Sequence, residues 1–420
     1  MMDERNGVSP EKEPRKWHGT LRLAFVVSLA IPLGLPLGNC GICTDVPETD
    51  TPAWEMAIVN PNRYYIGHSV AEGEEGRLYV VGQSYDGTSM DTALIIQRTE
   101  FGNPRWARNI GIAGEHVEGI AVAAAPGGGA LLFGNVGDPF STRAQLDYYL
   151  VRVDVAGNTL WDKRFGGART DIAVDIVAVA GGYALLGTTN SSGSGGTDLE
   201  IIRIDHEGEV MWVRTYGGAA NDDAADLEVT ADGGFAIFGQ TESFGSGEFD
   251  LYLVKTDEAG EEQWYQTYGY ENYNYAGAVR QTGDGGYILA GNVGAAYLLK
   301  TDAVGDLTWE RVLGEDGYYE VRGVAEVPGG GYLLTGAGIT MGYYLEFCNA
   351  AFVMETDGEG QFVQTRLYGE LSETNGGQII PTRDGGHVIA GTARGGFMPE
   401  DEEDTFQSAV YLAKILAPGT

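Results

Sequence analysis

The chain has 420 residues, of which 60 are acidic and 26 basic, for a net charge of −34, and it holds 65 glycines, about twice the usual frequency. With no basic patch interleaved with aromatics to offset it, such a charge excludes nucleic acid and anionic lipid faces as partners and suits solubility outside the cytoplasm. The length admits two average domains, but uniform internal repetition argues for one.

Residues 1–21 are polar and include Lys12, Arg15 and Lys16, with Arg22 just beyond. Leu23 to Leu37 reads LAFVVSLAIPLGLPL, an apolar run broken by Pro32 and Pro36. It is short for a membrane span and has the length and basic flank of a signal peptide. Leu37-Gly38-Asn39-Cys40 follows and resembles the bacterial lipobox, in which a Leu three positions before a Cys precedes cleavage and lipid attachment. Cys40 is therefore the expected lipidation site, although Asn39 stands where Gly, Ala or Ser is usual; plain secretion and an uncleaved anchor are the alternatives. The expected organisation is a signal peptide over 1–39, a tether over 40–53, the repeats over 54–416 and a tail over 417–420. With Cys40 carrying lipid, Cys43 and Cys348 are left to pair as a disulfide in an oxidising compartment.

From residue 54 onward the chain repeats. Trp54, Trp106, Trp161, Trp212, Trp264 and Trp309 recur at a period of about fifty residues, and Phe362 takes the expected seventh place. Gly-Gly turns at Asp232-Gly233-Gly234, Asp284-Gly285-Gly286 and Asp384-Gly385-Gly386 each separate two apolar runs. A second turn follows one strand later, at Asp154…Gly157, Asp205…Gly208, Asp257…Gly260, Asp302…Gly305 and Asp357…Gly360. Each unit thus reads as four short strands. A lone four-stranded sheet leaves both faces bare, and radial stacking buries them. The fold class is all-β: a seven-bladed β-propeller with four antiparallel strands per blade, its last blade completed by the N-terminal strand around Trp54. Small residues recur on the strand expected nearest the axis: Gly119, Ala173, Ala224, Ala276 and Gly376. Six sheets with frayed ends are the alternative.

Chemistry is sparse. The five histidines, His18, His68, His116, His206 and His387, lack metal-type spacing, and no nucleophile elbow, phosphate loop or zincin motif occurs. His387 replaces the aromatic that follows other Gly-Gly turns and is expected to be packed. The acid pairs Asp222-Asp223 and Asp171 with Asp175 need no acid–base role in so acidic a chain. Tyr268, Tyr270, Tyr273 and Tyr275, interleaved with Asn, fall between the fourth and fifth sheets and suit stacking on a sugar or gripping a peptide, with packing between blades as the alternative. Met398 to Asp404, MPEDEED, supplies five carboxylates, a composition that suits Ca²⁺. No Asp-x-Asp-x-Asp-Gly order accompanies them, so a solvated charge run is expected, with neither metal nor cofactor.

The Gly-Gly-aromatic turn, the Lys255-Thr256-Asp257 and Lys300-Thr301-Asp302 strand ends and Tyr216-Gly217-Gly218 together resemble bacterial exported repeat propellers, mostly surface lipoproteins without assigned activity. The Asp-x-x-Gly…Trp element is also similar to the tryptophan-docking motif of quinoprotein-like propellers. That resemblance implies blade-to-blade packing for Trp161, Trp212, Trp264 and Trp309. The adjacent-Cys disulfide of the quinone enzymes is absent, so quinone-dependent dehydrogenation is not implied. A non-catalytic relative of that group, the barrel-assembly scaffold lipoprotein, is the implied precedent. The expectation is a monomeric binding or scaffold module of the envelope or surface, touching membrane only through its lipid anchor and engaging an envelope protein, glycan or peptide through rim loops. The alternative is an extracellular glycan lyase or hydrolase with acids at the mouth of the channel.

Overall fold

Short apolar runs closed by Gly turns leave each repeat one solution, an antiparallel four-stranded sheet, and the computed structural model has seven of them around one axis. It describes residues 53–60, 62–87, 90–138, 145–246, 248–269, 274–314, 318–327, 329–341, 347–368, 373–395 and 407–416. Blades 1 to 7 occupy 64–110, 116–165, 171–216, 222–268, 275–313, 318–368 and 373–415. The fourth strand of blade 7 is Trp54–Ile58, paired antiparallel with Gln407–Ile415 from Trp54 opposite Lys414 to Ile58 opposite Val410. The N-terminal strand therefore closes the ring, and the six-sheet alternative falls. A single parallel bridge, Asn349 with Glu373, links blades 6 and 7. The one helical element among the described residues is a single 3₁₀ turn, Glu74–Gly76.

The first strand of each blade lies innermost, where it packs against the first strands of both neighbours. All seven begin on the same face of the disc, here called upper. The linkers between blades and the loops between second and third strands also lie there, while the Gly-Gly and Asp-x-x-Gly turns lie on the lower face. Every inner strand carries a β-bulge at the same level, for example between Gly67 and Ser69, Ala173 and Asp175, and Ala224 and Asp226. Space sets the small residues just before it in every blade but the sixth, where Val321 stands. A Cβ on Gly119 would stand 2.9 Å from the carbonyl oxygen of Gly82 in the preceding blade.

The bulge frees a backbone N–H, and in blades 1, 3, 4 and 6 the preceding blade caps it. Asn135 Oδ1 accepts from Ala173 N at 2.8 Å, Thr188 Oγ1 from Ala224 N at 2.9 Å, Asn292 Oδ1 from Val321 N at 2.9 Å and Thr392 Oγ1 from Gly67 N at 3.1 Å. Each cap follows the Gly of its second strand. Thr188→Val is expected to lower the unfolding free energy by ~1–2 kcal/mol, because a near-buried N–H loses its partner, while Thr188→Ser retains most of it. Denaturant midpoints check this; a Ser variant as weak as the Val variant would assign the loss to the methyl group instead.

The outer seams are built on the Trp positions. In each Asp-x-x-Gly turn one carboxylate oxygen accepts two backbone N–H groups, as Asp205 Oδ1 does from Glu207 N at 3.0 Å and Glu209 N at 2.8 Å. The turn Gly has positive φ, +76° at Gly208 and +74° at Gly260, and presents a bare Cα to the indole of the preceding blade. Trp106 faces Gly157, Trp161 faces Gly208, Trp212 faces Gly260, Trp264 faces Gly305, Trp309 faces Gly360, and Trp54 faces Gly102 across the closure. The basic residue two positions after four of these Trp lies over the ring: Arg108, Lys163, Arg214 and Arg311.

The seventh Trp-equivalent position needs correction. Lys255 pairs with Trp264 and Lys300 with Trp309, but in blade 6 Glu355 pairs with Gln364. Phe362 lies two residues earlier, opposite Thr356, at the level of Glu262 and Leu307, and is 54% exposed. The reason is the closure. Blade 7 draws its fourth strand from the other end of the chain, so no continuous Asp-x-x-Gly turn exists there for a Trp to meet. Gln364 instead donates from Nε2 to Glu355 at 2.8 Å.

Candidate functional site

The upper mouth of the channel is shaped by the first two residues of each inner strand region. In blades 3 and 4 these are Asp171-Ile172 and Asp222-Asp223, and in blade 5 Asn274-Tyr275. The leading residue of each pair is buried and clamps the loops around it. Asp222 accepts from Gly218 N and Ser243 Oγ, both at 2.7 Å, and from the Thr241 hydroxyl. Asp171 repeats the arrangement with Gly167 N, Ser191 Oγ and Thr189. Asn274 donates from Nδ2 to the Phe249 carbonyl at 2.7 Å. The acid pair Asp222-Asp223 therefore divides its work, one member a buried clamp and the other a residue of the mouth.

The second residue of each pair sits at one level of the ring, opposite the seam-capping position of its own second strand. Ile66 pairs with Gln83, Glu118 with Asn135, Ile172 with Thr188, Asp223 with Gln240, Tyr275 with Asn292 and Glu320 with Ala337. Tyr275 is 46% exposed and Ile172 41% exposed, unusual for apolar side chains on the innermost strands. The Tyr275 ring stacks on Phe249, with centroids 6.2 Å apart and an interplanar angle of 30°. Asp223 accepts from Thr197 Oγ1 at 2.8 Å.

Between blades 1 and 2 the mouth carries a histidine–carboxylate chain. His116 Nδ1 lies 2.8 Å from Asp91 Oδ2, which also accepts from Gln83 Nε2 at 2.6 Å. On its other side His116 Nε2 is 3.9 Å from Glu118 Oε2, and Glu118 Oε1 is 3.4 Å from His68 Nε2. Burial alone would push the His116 imidazole down, but the neighbouring Asp91 and Glu118 carboxylates win and raise it to about 9. Burial likewise works to raise Glu118, and the two histidines overcome it, holding the carboxyl well below the usual range. The chain runs from a buried acid to His68, the bulge residue of its strand. Strand alternation was its only sequence signal: His116 and Glu118, two apart, share a face.

Lower in the channel, Arg280 Nη1 donates to Asp226 Oδ2 at 2.6 Å and lies 3.9 Å from Glu228, while Asp175 Oδ1 accepts from Ile176 N at 2.8 Å. Burial and the Asp226 charge lift the Asp175 carboxyl to about 7, and burial lifts Glu228 to about 7. Among the described residues, no group of three or more His, Cys, Asp and Glu is placed to hold a metal ion.

The tyrosine cluster divides. Tyr268 is half-buried and donates its hydroxyl to the Gly305 carbonyl of the next blade at 2.6 Å, as the buried Tyr216 does to Gly260 at 2.7 Å. Tyr275 is at the mouth, and Tyr270 and Tyr273 lie outside the described residues, as do Cys40, Cys43 and Met398 to Asp404. Cys348 falls near the upper start of the third strand of blade 6, Phe347–Thr356. His206 meets Tyr183 edge-on at 5.7 Å. His387 is 1% exposed with no hydrogen bond on either ring nitrogen among the described residues, and burial lowers it from its ordinary value. Since the unfolded imidazole takes up a proton below pH ~6.5 and the folded one resists, this residue's contribution is intact above pH ~6.5 and is lost as pH falls below it. His387→Phe, which restores the residue type of Phe235, is expected to reduce the stability lost between pH 7 and pH 5 by ~1 kcal/mol. Thermal melts at both pH values check it; identical losses in parent and variant would refute it.

No family model matches the chain. Over a 203-position alignment that covers 43% of the chain, the sequence is 26% identical to the regulatory protein FlaEY of Caulobacter vibrioides, and the alignment covers 21% of that protein, so the chain spans about a fifth of this relative's length. Among solved structures, that of YCF48 bound to D1 peptide is similar with a TM-score of 0.52 and 12% identity, over 88% of this chain and 99% of the other. Puromycin hydrolase aligns with a TM-score of 0.44 and 15% identity, over 80% of this chain and 60% of the other. At these identities the likeness to YCF48 shows the propeller fold.

Proposed function

We propose that this chain is a binding or scaffold module of the cell envelope or surface, held there by lipid on Cys40, that engages a protein or glycan at the upper face of its propeller. One observation carries the reading. Apolar and aromatic side chains, Ile172 and Tyr275, stay half-exposed on the innermost strands, each directly after a residue, Asp171 or Asn274, that is hydrogen-bonded to a neighbouring loop. Recognition is commonly placed on such rims, because a fixed frame lowers the ordering cost of binding. YCF48 is a precedent for a peptide bound by a similar fold. The test is a pull-down from an envelope extract on the immobilised chain, with mass spectrometry of what is retained. One protein held at high occupancy supports a scaffold and names its partner; retained polysaccharide points to a glycan.

A second reading, an extracellular glycan lyase or hydrolase, is favoured by the Asp91–His116–Glu118–His68 chain at the channel mouth, where an acid-backed imidazole suits proton transfer. Depolymerisation of an acidic or neutral polysaccharide by the parent, abolished in His68→Ala, would replace the binding reading with this one.

A further inference from the structure

We propose that three consecutive positions of the upper ring, Ile172, Asp223 and Tyr275, form a docking site for a lysine or arginine side chain of a peptide or protein partner. This rests on the binding-module reading and names the chemistry of its partner. Blades 3, 4 and 5 each contribute one residue at the same register level, so the three stand side by side around the mouth. Their order is apolar, anionic, aromatic. A long basic side chain has the matching order of needs: a methylene stem that prefers apolar surface and a charged head that prefers a carboxylate and an aromatic face.

Asp223 differs from the other acids of the ring in what already answers it. Glu118 is held by His68 and His116, and Glu320 accepts from Arg322 at 2.7 Å. Asp223 accepts from the neutral Thr197 hydroxyl, and among the described residues no basic side chain reaches it. Its charge is therefore available to an incoming cation. Tyr275 presents a ring already backed by Phe249, so its orientation is set before a partner arrives. Elsewhere basic side chains are engaged within the fold: Lys255, Lys300 and Lys414 bind the Gly-Gly turn acids Asp232, Asp284 and Asp384, and Arg214 binds Glu261. The excess charge is thus negative, and low-dielectric channel walls focus such a field at the mouth.

The test is calorimetric titration of the full chain with a capped Gly/Ser peptide bearing three arginines, and with the same peptide bearing three glutamates, at low and physiological salt. The expected result is binding of the arginine peptide, weakened about tenfold by Asp223→Asn and by Tyr275→Ala but kept by Tyr275→Phe, with no binding of the glutamate peptide. Glu258→Gln, an exposed change on the lower face, is expected to leave the affinity unaltered. Equal binding by the parent, Asp223→Asn and Tyr275→Ala would reduce the effect to diffuse charge and overturn the inference. If an uncharged peptide or a glycan binds instead and is weakened by Tyr275→Ala, the basic-partner inference fails while the binding reading stands. If no probe binds and the envelope pull-down retains nothing, both fail.

Discussion

Trp212→Ala is expected to lower the unfolding free energy by ~3 kcal/mol, the largest loss from any single outer-strand change. Three contacts go with the indole. Its ring edge meets Gly260, where an added Cβ would lie 2.7 Å from Cη2; it stands edge-on to Phe235 at 6.2 Å; and Arg214 lies over it at 5.7 Å. Phe235 and Gly260 belong to blade 4 and Trp212 to blade 3, so the loss falls on the seam between blades rather than within one sheet. Gly260→Ala approaches the same seam from the other side. Its φ of +74° disfavours any Cβ and the new methyl has no room against the indole, for a loss of ~1–3 kcal/mol. The double variant should lose less than the two single losses combined, because both remove one contact. Leu160→Ala, at a site 57% exposed, should change little. Chemical denaturation of the five proteins decides the matter, and full additivity would mean that Trp212 and Gly260 do not act through each other.

That seam was largely legible in the sequence, because its parts are local: Asp, Gly and Trp recur at fixed spacing within about eight residues. The same spacing identifies Gln364, four residues after Gly360, as Trp309 is after Gly305, and so marks the place where an aromatic-only reading chose Phe362. The channel mouth was legible only in fragments. Glu118 and His68 meet across a blade boundary fifty residues apart, and no local pattern announces a contact of that range. Asp175 and Asp226 sit at equivalent places of successive repeats, yet only the radial stacking brings them together. Tyr268 and Tyr275 looked like one cluster because they are near in sequence. The structure separates them, since the fourth strand ends at the rim and the next inner strand begins at the axis.

Asp175→Asn is expected to leave stability unchanged near pH 4 and to raise it by ~1–3 kcal/mol at pH 8. The sign follows from where the proton resides. Burial and the neighbouring Asp226 charge raise the folded Asp175 carboxyl to about 7, above its ordinary 3.8 in the unfolded chain. Between those values the folded state binds a proton that the unfolded state has released, so stability falls as pH rises through the window and levels off above pH ~7. Below pH ~4 both states are protonated and the difference vanishes. Arg280 compensates one carboxylate, Asp226, through its 2.6 Å bond, and a second ionised acid beside it is left without a cation of its own. Asn keeps the shape, carries no charge and can donate to Asp226 at every pH, as the protonated acid does only at low pH. Glu228, also raised to about 7 by burial, adds slope of the same sign, and Glu228→Gln on top of Asp175→Asn should flatten the profile further. His387 and the turn acids Asp232, Asp284 and Asp384, the last three lowered to about 2, work in the opposite direction, but below pH ~6.5 and pH ~4 respectively. The turn acids therefore act below the Asp175 window, whereas the His387 window overlaps it with the opposite sign, so the difference between the parent and Asp175→Asn isolates the Asp175 effect. Melting curves from pH 4 to pH 9 measure both, and a parent and an Asp175→Asn variant that run parallel from pH 6 to pH 8 would show that no proton is held between Asp175 and Asp226.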